Sequence, residues 1–504
     1  MAWAAENCRW TRSSYIGGEY SDGRVLHCFD GVSVWPAWRY RRGMTSNDAP
    51  LMLSVSGLRG LVGKTITAEV AALYGAAFGS HLRSKKNRPR VVLARDSRPS
   101  GEAFLSAVAA GLASTGCDVI DLGIAMTPTA GVMVQHHKAD GGMVCTASHN
   151  PIEWNGLKCL DGDGVAPPPD EAKEIVRRFK ERDLKLAGPT EFGRIERDTG
   201  ADATHVAKVL ALVDVAAIRA ANLKVVVDSV NGAGCNAARM LLEKLGVGVT
   251  HLNGEPTGLF AHTPEPTQAN LTDLAAATAK GGFACGFAQD PDADRLAVVD
   301  EAGRYIGEEY TLALCALRIL QREGKATMAA NLSTSRMIDG VAAKFAGSKV
   351  LRTAVGEANV VAAMKSAGST IGGEGNGGVI WPKVCWVRDS LSGMALVLEL
   401  LATQKRALSV IAAEIPRFAM VKRKLELGAI GGAAAVAPAL AKVKAAFAGE
   451  PMDECDGIRI DLAEGWVHLR ASNTEPIIRL ISEAANDAAA NALADRVAKA
   501  AGIA

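Results

Sequence analysis

The sequence predicts an α/β protein in which three similar layered domains with mixed, mostly parallel sheets are followed by a C-terminal α+β domain, the four set around one central cleft. Three observations carry this expectation. The chain has 504 residues, well past the roughly 250–300 at which single cores stop growing. Short apolar strands alternate with amphipathic helices in three successive rounds, the pattern of layered units with largely parallel sheets. Each round ends a strand in an unusual polar loop, and ligands of such sheets bind beyond the carboxyl ends of the strands.

The elements follow in order from Leu51. Residues 68–83 place Val70, Leu73, Tyr74, Ala77, Phe78 and Leu82 at helical spacing. Residues 91–95 (VVLAR) read as a buried strand, and 100–115 as a helix with Ser100 as N-cap and Gly116 as its stop. Strand 118–122, a helix near 128–137 and strand 141–145 complete the first round, which runs into TASHNP. The second round has strand 223–228, a helix near 233–245, strand 247–252, a helix near 271–280 and strand 283–288, running into DPDADR. The third has strands near 326–331, 349–353 and 369–372 with helices near 335–345 and 357–366, and ends in GGEGNGG. After it come strand 417–424, an Ala-rich helix near 434–447, strands 457–461 and 465–469, the loop RASNTEP, a strand and a helix. The turn-rich GVAPPPD (164–170) lies inside the first unit, the polar stretch near 188–204 reads as a break, and Pro416 marks the start of the fourth unit. The expected domains are therefore 51–203, 204–304, 305–416 and 417–504.

Residues 1–50 are expected to be a leader outside these domains. Residues 1–43 hold four of the eight tryptophans and half of the tyrosines without any persistent period. The working protein is expected to start at Met44 or Met52.

Composition excludes several classes. Hydrophobic residues are 48% and charged residues 22%, ordinary globular usage and not that of a disordered, collagen-like or disulfide-scaffold chain. A net charge of +2, from 56 basic and 54 acidic residues, offers no polyanion-binding surface, so no nucleic-acid partner is expected. The ten cysteines are scattered without a C-x-x-C pair and read as free thiols of a reducing compartment, here the cytoplasm. No run of 18 apolar residues occurs, so no membrane partner is expected, and the first residues lack the pattern of a secretory signal.

Four loops carry the chemistry. In TASHNP (146–151), Ser148 sits between a strand end and a Pro-terminated turn, beside His149 and Asn150. A serine so placed serves as nucleophile or phosphoryl acceptor, or is a polar turn with a satisfied hydroxyl. In DPDADR (290–295), Asp290, Asp292 and Asp294 alternate, a set of oxygen ligands that suits Mg2+. An EF-hand is rejected because Arg295 stands where that loop requires glycine and 296–299 (LAVV) read as a strand. In GGEGNGG (372–378), five glycines let backbone approach a ligand, and Glu374 and Asn376 offer hydrogen bonds to sugar hydroxyls or an amine. In RASNTEP (470–476), Arg470, Ser472, Asn473 and Thr474 supply clustered donors that suit a phosphate dianion. The alternative for DPDADR is a merely solvated acidic turn, and each of the last two loops is also what a surface turn looks like.

Together, in this order and with anchors spaced by 142, 84 and 96 residues, the loops resemble those of the α-D-phosphohexomutase family, the phosphoglucomutase, phosphomannomutase and phosphoglucosamine mutase group. SVSGLRG (54–60), ARDSRPSG (94–101), NGLK (155–158) and DSVNGAG (228–234) extend the resemblance from about Leu53 to the C-terminus. It implies four domains around a cleft, a phosphoserine at Ser148, and Mg2+ held by Asp290, Asp292, Asp294 and that phosphoserine. It implies Arg59, Arg95, His149, Lys158 and Arg295 around the phosphoryl group, Lys158 being the candidate base or else a charge partner. Glu374 and Asn376 would bind sugar hydroxyls, and Arg470, Ser472, Asn473 and Thr474 the phosphate that is not transferred. The implied reaction interconverts hexose 6-phosphate and hexose 1-phosphate through a hexose 1,6-bisphosphate, which also serves as activator. Sugar phosphates are the implied partners, for a monomer or homodimer.

One departure matters. Bacterial members often end the sugar loop in Ser-Gly-His, whereas this chain has Asn376, Gly377 and Gly378, so no histidine base comes from that loop. GEGNGG is more similar to the loop of archaeal-type phosphoglucosamine mutases. In TAVGEAN (353–359), Gly356 and Glu357 fall where they would contact the sugar, Glu357 standing where several relatives have histidine. A carboxylate there suits a 2-amino group, making glucosamine phosphate the leading expected substrate, with mannose or glucose phosphate as the alternative. A metal-dependent phosphatase with a serine nucleophile would not need separate sugar and phosphate loops, and a non-catalytic sugar-phosphate sensor would not need Ser148 and the carboxylates.

Overall fold

The same four-strand order occurs three times. In the first sheet it is Trp154–Leu160, Gly141–Cys145, Arg90–Arg95, Asp118–Ile124; in the second, Leu296–Asp300, Cys285–Gln289, Lys224–Asp228, Gly248–Leu252; in the third, Gly378–Ile380, Ile371–Glu374, Thr327–Asn331, Lys349–Thr353. This computed structural model describes residues 51–54, 57–430, 432–472 and 477–503. The expected leader, and Asn473 and Thr474 of the fourth loop, lie outside the described residues.

In each repeat one strand pairs in parallel on one side and antiparallel on the other. Gly141–Cys145 is parallel to Arg90–Arg95 and antiparallel to Trp154–Leu160. Cys285–Gln289 is parallel to Lys224–Asp228 and antiparallel to Leu296–Asp300. Ile371–Glu374 is parallel to Thr327–Asn331 and antiparallel to Gly378–Ile380. The loop leaving that strand at its carboxyl end is TASHNP, DPDADR or GGEGNGG. The sheets are thus mixed and mostly parallel, and the fold places equivalent loops of three units in equivalent positions. The fourth unit is a five-stranded antiparallel sheet, ordered Ala419–Glu426, Ile477–Ala484, Gly465–Ala471, Ile458–Leu462, Met452–Asp453, with helices Val436–Ala446 and Asp487–Ala501.

The first sheet carries extra strands that the periodicity did not show. Met52–Ser54 and Gly57–Leu61 extend one edge antiparallel. On the other edge Ile195–Arg197 pairs in parallel with residues 119–121. The polar stretch near 188–204 is therefore not a bare break: it supplies an edge strand and begins helix Ala201–Leu210, which buries His205, Val206 and Val209. All three residues of that edge strand are exposed, so no alternation of apolar and polar residues marks it. Ser100 does stand at the N-cap of helix Gly101–Ser114, but its side chain makes no capping bond. Its hydroxyl instead accepts from Asn155 Nδ2 at 2.9 Å.

One apolar cluster runs through the second and third units, joining Leu241, Phe287, Leu314, Trp381 and Leu396 among others. Helix Ser390–Gln404, buried from Ser390 to Ala402, forms its centre. Such all-round burial requires an apolar helix, and Asp389 caps it by accepting from the Leu391 and Ser392 amides. The first and fourth units have their own clusters. No described helix is long and apolar enough to cross a membrane.

Candidate active site

Ser148 is a buried, non-glycine residue in the left-handed region, with φ +50°, a conformation that persists only when its surroundings enforce it. Its amide donates to Thr146 Oγ1 at 2.9 Å. Arg98 Nη2 donates to the carbonyls of Ser148 and Asn150, at 2.8 and 2.5 Å. Arg98 is itself fully buried, paired with buried Asp96, and its guanidinium lies 5.0 Å from the Phe260 ring. Thr146 Oγ1 closes the network by donating to Asp96 Oδ2 at 2.6 Å. So held, Ser148 Oγ donates to Asp290 Oδ2 at 2.9 Å and lies 3.3 Å from His149 Nδ1.

Asp290, Asp292 and Asp294 are buried and each offers a carboxylate oxygen within 4.8 Å of the others, an arrangement that can hold a metal ion. Leu296–Asp300 is a strand, as the rejection of an EF-hand required. Asp292 Oδ1 and Asp294 Oδ1 are buried with no hydrogen-bond partner among the described residues. Orphaned anionic oxygens in an all-carboxylate set fit a hard divalent cation such as Mg2+. Burial, with the negative charges of Asp294 and Asp292, holds the Asp290 carboxyl well above its usual range. Burial also opposes charge on Asp292, but Lys158 and the Thr127 hydroxyl outweigh it and keep that carboxyl below its usual range.

Lys158 Nζ lies 2.6 Å from Asp292 Oδ2 and 3.3 Å from Asp294 Oδ2. Burial works against its charge, but the two carboxylates raise its pKa overall. Arg59 Nη1 donates to Asn150 Oδ1 at 2.8 Å, and the Arg295 amide donates to Asp290 Oδ1 at 3.1 Å. Nearby Arg295, then burial, then Arg59, hold His149 well below its usual pKa and hence neutral. Arg95 is turned elsewhere: it donates to the Asp96 carbonyl at 3.2 Å and lies 3.5 Å from Glu102. The arginine that grips the Ser148 loop is Arg98, which the sequence reading missed although it stands three residues along in the same ARDSRPSG motif.

Arg388, also missed, ties the DPDADR loop to the GGEGNGG loop. Its Nη2 donates to Asp294 Oδ2 at 2.6 Å, Nη1 to Glu374 Oε2 at 2.8 Å and Nε to Glu357 Oε2 at 2.8 Å. Its amide also donates to Glu357 Oε2, at 3.2 Å. The second oxygen of Glu374 accepts from Asn331 Nδ2 at 2.8 Å, and Asn376 Nδ2 donates to Glu374 Oε2 at 3.4 Å. A Cβ on Gly378 would stand 2.2 Å from Arg388 Cδ, so the position without a histidine is crossed by the arginine. The only sequence signal for Arg388 was that it precedes Asp389, the cap of a long apolar helix.

The fourth loop reaches the same region. Arg470 Nε donates to Asp456 Oδ2 at 2.8 Å, and the same oxygen accepts from the Val355 amide at 2.9 Å, next to Gly356. Arg470 Nη2 is buried with no hydrogen-bond partner among the described residues. A cleft of about 720 Å³ brings the four units together: Lys158 and Arg295 line it with Gly356, Glu357, Glu374 and Asn376 of the third unit and Arg470 and Ser472 of the fourth. Lys422 and Glu309, which the sequence reading also missed, line it too.

The comparisons agree with this geometry. Profiles of phosphoglucomutase/phosphomannomutase match alpha/beta/alpha domain I over residues 52–185, domain II over 203–303, domain III over 308–418 and the C-terminal domain over 420–500. The chain belongs to the phosphoglucomutase/phosphomannomutase family, and it is an isomerase of the phosphohexomutase kind. A phosphoglucomutase/phosphomannomutase of Thermococcus kodakarensis is 39% identical over 433 residues, 86% of this chain and 94% of that protein. A probable phosphoglucosamine mutase of Methanopyrus kandleri is 36% identical over 441 residues, 87% and 95% of the two chains. A crystal structure of a phosphoglucomutase/phosphomannomutase family protein from Burkholderia thailandensis aligns with a TM-score of 0.78 at 29% identity, covering 90% of this chain and 98% of that one.

Proposed function

We propose that this mutase interconverts hexose 6-phosphate and hexose 1-phosphate through a phosphoserine at Ser148 and a hexose 1,6-bisphosphate, with the bisphosphate as activator. The observation that carries the reading is Ser148 Oγ bonded to Asp290 of a three-carboxylate cluster, while sugar and phosphate loops line one adjoining cleft. A free hydroxyl of the bound sugar phosphate attacks the phosphoserine phosphorus. The bond to Ser148 Oγ breaks, and the proton lost by the attacking hydroxyl is balanced by one gained at Ser148 Oγ as it leaves as the serine hydroxyl. The bisphosphate then turns and returns its other phosphoryl group to Ser148 by the reverse exchange. Catalysis of this kind is mostly positioning and charge neutralisation. Asp290, Asp292 and Asp294 would hold Mg2+ together with the phosphoserine, and the ion supplies neutralisation of the transferring group. Arg59, Arg295 and Lys158 add fixed positive charge. Glu374, Asn376, Gly356 and Glu357 contact the sugar, and Arg470, Ser472, Asn473 and Thr474 hold the phosphate that stays.

Glucosamine phosphate is the leading substrate, supported by Glu357 and Glu374 in the cleft and by relatives named as probable phosphoglucosamine mutases. Glucose or mannose phosphate is the second reading. It is favoured by Arg388, which already neutralises Glu357 and Glu374, and by the name of the Thermococcus relative. Turnover of the three hexose 6-phosphates side by side, with a bisphosphate primer, tests the proposal. Release of inorganic phosphate without isomerisation would instead identify a phosphatase.

A further inference from the structure

Arg388 meets three carboxylates that belong to two different tasks. Asp294 is one of the three acids of the metal cluster, while Glu357 and Glu374 line the cleft at the sugar loop. The guanidinium gives one arm to each, at 2.6, 2.8 and 2.8 Å. Without it Asp294, Glu357 and Glu374 would face one another with Lys158, at 3.3 Å, and Arg295, at 3.9 Å, paired among the three only to Asp294. The side chain has little freedom: the Asp389 cap fixes the backbone beside it, and it passes where a Cβ on Gly378 would lie. An arginine fork fixes the direction of each bond as well as its charge, which a lysine cannot do.

We propose that Arg388 is a positioning residue that acts as a counter-ion shared between the metal site and the sugar loop. This rests on the reading of the site as a hexose phosphate mutase. Two consequences of opposite sign follow. The guanidinium places positive charge beside Asp294, so it competes with a divalent cation for that carboxylate. It also orients Glu357 and Glu374, so it favours sugar binding. Removing it strengthens binding of the cation and weakens binding of the sugar, whereas a merely structural role would weaken both.

The test uses the full chain as wild type, Arg388→Gln, Arg388→Lys and Gly378→Ala. Mg2+ binding is read by calorimetry on metal-stripped protein, and KM and kcat on the best hexose 6-phosphate at saturating Mg2+. Arg388→Gln is expected to bind Mg2+ about three- to tenfold more tightly and to raise KM about tenfold or more, with a smaller change in kcat. Arg388→Lys keeps the charge and loses the fork, so Mg2+ affinity stays near wild type while KM stays raised. Gly378→Ala, which leaves Arg388 in the chain but takes its space, moves both readouts in the direction of Arg388→Gln. Weaker Mg2+ binding in Arg388→Gln and Gly378→Ala together, or full recovery of KM by lysine, overturns the proposal. If wild type isomerises no hexose phosphate, the reading of the site fails, and this inference with it. If it does so with Mg2+ binding unmoved by the variants, only the inference fails.

Discussion

Ser148 and Asp290 lie 142 positions apart in the chain, yet the serine hydroxyl donates to the aspartate carboxylate at 2.9 Å. The contact joins the first unit to the second and puts a strained, exactly oriented hydroxyl against the cluster that suits a divalent cation. Around that pair, Lys158 lies 2.6 Å from Asp292 and Arg388 lies 2.6 Å from Asp294 of the same cluster.

Arg98→Met is expected to damage both stability and turnover. It removes the donor to the Ser148 carbonyl and leaves Asp96 buried without its partner. Breaking a buried ion pair from one side costs about 3–5 kcal/mol, so the unfolding midpoint in denaturant falls. Ser148 is then free to leave its left-handed conformation, and kcat drops roughly ten- to a hundredfold, about 1.4–2.7 kcal/mol of barrier. A variant with wild-type kcat would show that the network does not position the nucleophile.

Mg2+ is expected to stabilise the wild-type chain, because binding to the folded state alone adds about 2.7 kcal/mol at a hundred times Kd. Thermal melts with and without Mg2+ should show this upward shift, and Asp292→Asn together with Asp294→Asn should lose it. Chelation should abolish turnover and added Mg2+ restore it. An equal Mg2+ shift in the doubly substituted chain would place the ion elsewhere.

Glu357→Gln tests the substrate. It keeps the shape of the side chain and removes its charge, so the contact to a 2-ammonium group loses its charge assistance, worth about 1.5–3 kcal/mol. The kcat/KM for glucosamine phosphate should fall more than that for glucose or mannose phosphate, by roughly ten- to a hundredfold. An equal loss on all three sugars would promote the neutral hexose reading.

Glu309 gives the fold a pH dependence. Its Oε2 accepts from the Ser335 amide at 3.0 Å and packs so closely on the GGEGNGG loop that a Cβ on Gly375 would stand 2.1 Å away. Burial pushes its carboxyl from the ordinary 4.5 up to about 8, with Lys422 only partly offsetting. Between those two values the folded chain binds a proton that the unfolded chain does not, so stability falls as pH rises through the window and the penalty is complete above about 8. Glu309→Gln should flatten this slope and be the more stable protein at pH above 8 by a few kcal/mol, at about 1.4 kcal/mol per pKa unit. Denaturation of both proteins across the window checks it; parallel slopes would remove Glu309 as the cause.

The three α/β rounds were legible because buried parallel strands are continuous apolar runs and their helices have a clear face. The loops were legible because Ser148, the three aspartates, Glu374 and Arg470 sit in short polar motifs at strand ends. Arg388 and Arg98 were not legible as site residues, because nothing local distinguishes an arginine that will be buried against acids from one in water. Their partners, Glu357, Glu374 and Asp294 for the one and the carbonyls of 148 and 150 for the other, are brought near only by sheet pairing and the packing of units. Ser100 stands at the N-cap as expected, but its hydroxyl is taken by Asn155, from a strand 55 positions away, which no local pattern shows. The exposed strand Ile195–Arg197 lacked any period because neither of its faces is buried.

The most direct test of the phosphoserine mechanism is phosphopeptide mapping of the active enzyme joined to turnover by Ser148→Ala. Phosphate is expected on Ser148, with exchange of that phosphate with labelled hexose 1,6-bisphosphate and loss of at least about a thousandfold in kcat by Ser148→Ala, since no other group stores the phosphoryl between half-reactions. An unmodified Ser148 in fully active enzyme, or near wild-type isomerisation by Ser148→Ala, would contradict that mechanism.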